Sequence, residues 1–312
     1  MSAVVEIENL VKRYKELVAV DHFNLRVGEG EILGLLGPNA SGKTTIIQCA
    51  LSLLPYDRGM IHIFGREMRA EDYELKAKIG VVPQNIAVVE ELTVYENIDY
   101  FCGLYIQDKS KRKEYVKEAA AFAGLEGYER IRPSRLSEGI KRRLNIACGI
   151  AHKPQLIFFD EPTMAIDPKS REQILQGITE LNRQGATIVY TSHYMEEVEQ
   201  ICTRISIIDK GRNVAEGTKE KLKKMLKNTE TIAVEIPGVA KERLNGLKAL
   251  PGAYEVSHKD GWVRVKFGGG NQNLFHVLDY LREHDILTGR VYTEQPTLND
   301  VFLEMTGREM QD

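Results

Sequence analysis

The chain has 312 residues, 43% of them hydrophobic and 28% charged, with 45 acids against 42 bases and a net charge of −3. Those values describe a globular protein of about two domains, and the lack of a basic excess excludes non-specific nucleic-acid binding. Cys49, Cys102, Cys148 and Cys202 are far apart and form no Cys-x-x-Cys pair, which argues against a zinc site or a disulfide framework and fits a reducing cytoplasm.

The N-terminus, Met1 to Leu10, lacks the basic-then-apolar layout of a signal peptide. Up to about residue 217, short apolar runs alternate with helical patterns. Strands are predicted at Glu31–Leu36, Ile79–Val82, Leu156–Phe159, Thr187–Thr191 and Ile205–Asp209. With helices between several of them, the alternation predicts an α/β domain with a mostly parallel sheet. Thr93–His152 breaks the rhythm, and reads as a helical insert of three helices near Val94–Leu104, Lys111–Ala123 and Ser137–Ala151. A charged helix over Lys219–Lys227 follows as a linker, placed at 218–228. Beyond it, 229–312 reads as a small α+β domain. Its elements are a strand at Thr231–Ile236, a helix at Ala240–Leu247, and a hairpin over Tyr254–Phe267 turning at Lys259-Asp260-Gly261. A loop at Gly268-Gly269-Gly270-Asn271 and helices at Leu274–Glu283 and Leu298–Met305 complete it. No run of about 18 apolar residues occurs, so work at a membrane would need a partner.

The strongest chemical signal is Gly37-Pro38-Asn39-Ala40-Ser41-Gly42-Lys43-Thr44, which fits G-x-x-x-x-G-K-[ST] between a strand pattern and a helical one. Glycines let backbone N–H groups crowd around phosphate oxygens, and the following helix adds the positive end of its dipole. Lys43 would reach the β- and γ-phosphates, and the Thr44 hydroxyl would face Mg²⁺. The second signal is Leu156-Ile157-Phe158-Phe159-Asp160-Glu161, a buried strand ending in two acids. Asp160 would hold Mg²⁺, and Glu161 would polarise the attacking water.

Four weaker features accompany these. Leu136-Ser137-Glu138-Gly139 opens a basic helix and offers an anion site, although Ser137 alone is equally an ordinary N-cap. Gln84 follows a Pro after a strand, where it could touch Mg²⁺ or its water; His193 follows Thr191-Ser192, within reach of a γ-phosphate. Tyr14 follows the N-terminal strand, where it could stack on a base. Singly, each is common in surfaces and cores.

Together, and in this order, the motifs resemble the ATP-binding subunits of ABC (ATP-binding cassette) transporters over about Val4–Gly217. The resemblance implies a phosphate-loop ATPase with ATP contacts at Tyr14 and along Gly37–Thr44 and Thr45, Gln84 in the Q-loop, and Ser137 and Gly139 in the signature. It further implies catalytic roles for Glu161, His193 and Gln84, Mg²⁺ at Thr44, Gln84 and Asp160, and a D-loop at Met164–Asp167 whose Asp167 lies near nucleotide. Each ATP would lie between Gly37–Thr44 of one subunit and Ser137–Gly139 of a second copy or paralogue. The insert would face a separate polytopic permease, and the protein would sit peripherally on the cytoplasmic side of the membrane. Two departures stand out: Glu138 and Ile140 replace the family's usual Gly and Gln, and the D-loop reads Met164-Ala165-Ile166-Asp167. Pro296–Gly307 resembles the closing helix of the ABC-2 type, drug-exporter-like branch. The competing reading is a soluble ATPase of the same type without a transport partner.

Overall fold

A computed structural model describes residues 3–226, 229–236, 241–270 and 272–307. The chain divides into two compact units that meet in sequence between Lys219 and Glu220. In the larger unit β1 (Ala3–Tyr14) and β2 (Leu17–Gly28) lead into β3 (Ile32–Leu36) and α1 (Lys43–Ala50). Then come β4 (Arg58–Ile63), β5 (Arg66–Glu67), α2 (Tyr73–Lys76) and β6 (Ile79–Val82). The insert supplies α3 (Val94–Gly103), α4 (Lys109–Phe122) and α5 (Glu138–Ile150), with a 3₁₀ turn at Pro133–Arg135. The unit closes with β7 (Leu156–Asp160), α6 (Pro168–Arg183), β8 (Thr187–Ser192), α7 (Met195–Ile201), β9 (Arg204–Asp209) and β10 (Arg212–Gly217).

The main sheet has the order β10-β9-β3-β8-β7-β6. Its pairs are parallel except that of β10 with β9. Strands β3, β7 and β8 are buried at every residue. Strands covered on both faces read as unbroken apolar runs, which is why they were visible in the sequence. The order puts the ends of β3, β7 and β8 side by side, with Leu36 opposite Ser192 and Asp160 opposite Thr191.

The expected α/β fold with a mostly parallel sheet, helical insert and small α+β region is the one observed. A second, antiparallel sheet of order β2-β1-β4-β5 was not foreseen. Register shifts interrupt the β1–β2 pairing at four places, and Asn9 and His22 have positive φ. Each shift reverses the inside–outside alternation, so the two-residue period fades from the sequence.

The smaller unit contains α8 (Lys219–Met225), β11 (Thr229–Glu235), β12 (Ala253–Lys259), β13 (Trp262–Gly268), α9 (Asn273–Glu283), β14 (Val291–Glu294) and α10 (Leu298–Thr306). Its antiparallel sheet has the order β12-β13-β11-β14. Ile232, Val234, Val263, Val265 and Phe267 pack with Leu244, Leu247, Val277 and Leu281 in a core of its own. The predicted hairpin turn carries Asp260 at φ 53° and Gly261 at φ 78°, the left-handed pair that a two-residue turn requires. The helix expected at Ala240–Leu247 is instead 3₁₀, spanning Lys241–Ala249. The tertiary contact there is close, since a Cβ on Gly246 would lie 2.5 Å from the Tyr280 ring. Ala240, Lys227, Asn228 and Asn271, parts of the predicted helix, linker and loop, lie outside the described residues. Strand β14 went unpredicted because it is only four residues long, set between Gly289 and Pro296.

Candidate functional site

The loop between β3 and α1 wraps a lysine. Gly37 packs against β9 so closely that a Cβ there would come within 2.3 Å of the Ile208 carbonyl oxygen. Gly42 caps α1 at φ 106°, with a would-be Cβ 2.7 Å from the Ala19 carbonyl oxygen. No side chain caps this helix start. Its first N–H groups are therefore free of side-chain competition, which suits an anion. Lys43 is only 4% exposed, and its Nζ donates to the carbonyls of Gly37 at 2.7 Å and Pro38 at 3.1 Å. The third direction points to Glu161 Oε1 at 3.1 Å. An ammonium group has three donors, so all three are engaged.

Asp160 ends β7, and its carboxylate accepts a 2.6 Å bond from the Thr191 hydroxyl. Burial pushes the Asp160 carboxyl above its usual range, opposed by the hydrogen bonds from Thr191 and Thr44. The Thr44 hydroxyl also lies 3.4 Å from Gln84 Oε1. Glu161 is 5% exposed and adopts φ 47°, held by its N–H donating to the Thr191 hydroxyl at 2.9 Å. Its second carboxylate oxygen meets His193 Nδ1 at 2.7 Å. Lysine, carboxylate and imidazole thus form one contiguous line.

These groups edge a cleft of about 530 Å³. Tyr14, Asn39, Ala40, Ser41, Gly42, Lys43, Thr44, Thr45, Gln84 and Glu161 line it, joined by Leu17, Val18, Ala19 and Lys210. Tyr14 is 44% exposed, and the Lys12 ammonium lies over its ring, 5.2 Å from the centroid. Asp160 and His193 join through the hydrogen bonds above. Ser137, Gly139 and Asp167 do not line this cleft. Ser137 caps α5 by accepting from the Ile140 N–H at 3.4 Å, and a Cβ on Gly139 would meet nothing within 4 Å. Asp167 is exposed and caps α6, accepting from the Ser170 N–H at 3.0 Å. Hydrogen bonding from the Ser170 hydroxyl, and next from its N–H, holds the Asp167 carboxyl below the usual range. Glu138 leans toward Lys141, 3.7 Å away, and Lys141 also lies 3.6 Å from Glu90.

Sequence reasoning missed several supporting residues. Thr191 bridges both acids, and only its place beside Asp160 in the sheet reveals this. Arg142 donates to the Gln84 carbonyl, and Asn145 donates to Pro83 O at 3.0 Å while accepting from Ala87 N–H at 3.0 Å. The loop carrying Gln84 is therefore stapled to α5, the helix that Ser137 opens. A basic helix gave no hint of that partner.

A family model described as "ABC transporter" matches residues 20–164, and one for the C-terminal domain of DrrA1-3-like ATP-binding proteins matches residues 217–306. The chain is 34% identical over 311 residues to the linearmycin resistance ATP-binding protein LnrL of Bacillus subtilis, covering 99% of this chain and 100% of that one. It is 33% identical to the Nod factor export ATP-binding protein I of Sinorhizobium fredii, covering 99% and 87% respectively. The ATP-binding cassette MJ0796, solved as a dimer in a post-hydrolysis state bound to ADP and Pi, superposes with a TM-score of 0.64 at 29% identity, over 69% of this chain and 98% of that one. The phosphate loop, the paired acids and near full-length similarity to these relatives lead to one conclusion: the chain belongs to the family of ATP-binding subunits of ABC transporters.

Proposed function

We propose that this ATPase powers an exporter through ATP-driven closure of two cassettes. The names of its relatives, for linearmycin resistance and Nod factor export, support the outward direction. The observation that carries the reading is the line Lys43–Glu161–His193 on the cleft. ATP phosphates entering the loop would replace Glu161 on Lys43, whose charge then neutralises the transferring group. Freed, Glu161 takes a proton from the attacking water as the bond from the γ-phosphorus to the bridging oxygen breaks, while His193 holds that carboxylate in place. Tyr14 offers a face to the base.

Thr44, Gln84 and Asp160 bring a hydroxyl, an amide oxygen and a carboxylate together, an all-oxygen donor set that suits Mg²⁺. When bound, the ion supplies charge neutralisation at the phosphates. The exposed start of α5, with Ser137 and the open flank of Gly139, would meet the ATP held by a partner cassette, and Asp167 would lie near that junction. ATP then acts as glue because it binds the closed pair better than the open one. The partner is a second copy or a paralogue, and a separate permease would receive the motion through Gln84 and the insert. Among the described residues no helix is long and apolar enough to cross a membrane. We assign residues 1–217 to the ATPase, with the insert at about 93–152, 218–228 to a linker, and 229–312 to an accessory domain.

The direct test is Glu161→Gln. Turnover should fall by roughly two orders of magnitude or more, and ATP should trap a dimer resolvable by size-exclusion chromatography. A variant with near-normal ATPase would remove the general-base role.

A further inference from the structure

Behind the cleft lies a buried carboxylate that the chemistry above does not use. Glu197, on α7, is 2% exposed. Its Oε1 accepts from the Thr163 hydroxyl at 2.7 Å and pairs with Arg171 Nε at 3.3 Å. Its Oε2 accepts from the Tyr190 hydroxyl at 2.7 Å and the Ser192 hydroxyl at 2.9 Å. A carboxylate has about four acceptor sites; three hydroxyls fill three of them, and Arg171 adds its charge without a hydrogen bond. Burial holds the Tyr190 hydroxyl well above its usual range, so it remains a donor.

The partners come from two segments that carry function. Thr163 lies between Glu161 and Met164–Asp167, and its carbonyl closes a turn by accepting from Ile166 N–H at 3.2 Å. Ser192 accepts from Tyr194 N–H at 2.9 Å, which shapes the turn that presents His193. Arg171, one turn into α6 after Asp167, stacks over the Tyr194 ring at 4.8 Å, and that ring lies 4.1 Å from His193. The two segments are thus tied to each other by one charge. An apolar side chain would fill the space and tie nothing, and a buried ionic cluster is a poor source of net stability. Its consequence is geometric: moving the Met164–Asp167 loop moves the His193 turn.

We propose that Glu197 is a positioning residue that couples the Met164–Asp167 loop to the His193 turn, so that docking of a partner cassette at the loop is transmitted to the histidine that already meets Glu161. This rests on the roles given above to His193 and to that loop.

The test uses the full-length chain, with turnover expressed per nucleotide-binding site. Glu197→Gln keeps the shape and removes acceptors. It should lower kcat roughly tenfold or more while affinity for a fluorescent ATP analogue stays within about twofold. Thr163→Val and Ser192→Ala should each lower kcat, and the double variant should be no slower than the slower single one, because both break the same link. Should Glu197→Gln fail to fold, that cycle decides alone. A Glu197→Gln kcat within about twofold of wild type, or independent multiplying effects of the two hydroxyl variants, overturns the coupling. His193→Ala is measured in parallel. Turnover lost there but kept in Glu197→Gln sinks the coupling and leaves the cleft assignment standing. Normal turnover in His193→Ala removes the histidine's role and this inference with it.

Discussion

At the level of single residues, burial decides which polar groups matter. Lys43, Asp160 and Glu161 are all buried, and each is compensated by a specific partner. His152 is another buried polar group, outside the cleft. Its Nε2 bonds to the Ile79 carbonyl at 3.1 Å, so that nitrogen must carry the proton, and Tyr105 stacks on the ring. Burial lowers its pKa from 6.5 to about 4. The folded state then binds fewer protons than the unfolded one between those values, so stability falls as pH drops through that window. Relative to His152→Phe, wild type should lose about 1.4 kcal/mol per pH unit between pH 6.5 and about 4, read from urea midpoints across pH. Equal pH slopes in the two proteins would refute the assignment. The motif residues were legible in the sequence, while Thr191, Arg142 and His152 were not. Their roles depend on neighbours that the chain supplies from distant segments.

Helix ends carry much of the element-scale chemistry. The start of α1 is left without a side-chain cap, and that of α5 is capped by a single serine through a long bond. A Ser-to-Ala cap change costs about 1 kcal/mol in general, and the 3.4 Å distance puts Ser137→Ala at the low end. Its melting temperature should therefore shift by only about 2 °C. Nucleotide affinity of the monomer should hold, while ATPase falls roughly tenfold, because in the proposed closed pair the serine would act on a partner's ATP. Parallel losses of affinity and rate would mean that the turn is merely structural. Elements with a clean period were found from the sequence: the buried strands, the three insert helices and the hairpin. The strand before Tyr14 was anticipated, but its bulged partner β2 and the four-residue β14 escaped, because bulges and brevity erase the pattern that reveals a strand.

At the scale of the molecule, the smaller unit owns its core. Ile232, Val234, Val263, Val265, Phe267 and Leu281 are buried together within it. A fragment of residues 217–306 should therefore unfold in one cooperative urea transition followed by circular dichroism. A gradual, non-cooperative loss of signal would mean that the proposed accessory domain cannot stand alone.

By itself, the sequence determined the ATP-binding family of this chain and pointed to the loop proposed to hold the phosphates, because that cradle is a contiguous run of glycines and a lysine that acts through local backbone geometry. It also determined the alternation of strand and helix, since unbroken apolar runs report burial on both faces. Only the tertiary structure decided that Lys43, Glu161 and His193 meet, and that Glu197 stands behind two loops at once. Those contacts arise where parallel strands end side by side, and strand order across a sheet leaves no local trace in the residues that it unites.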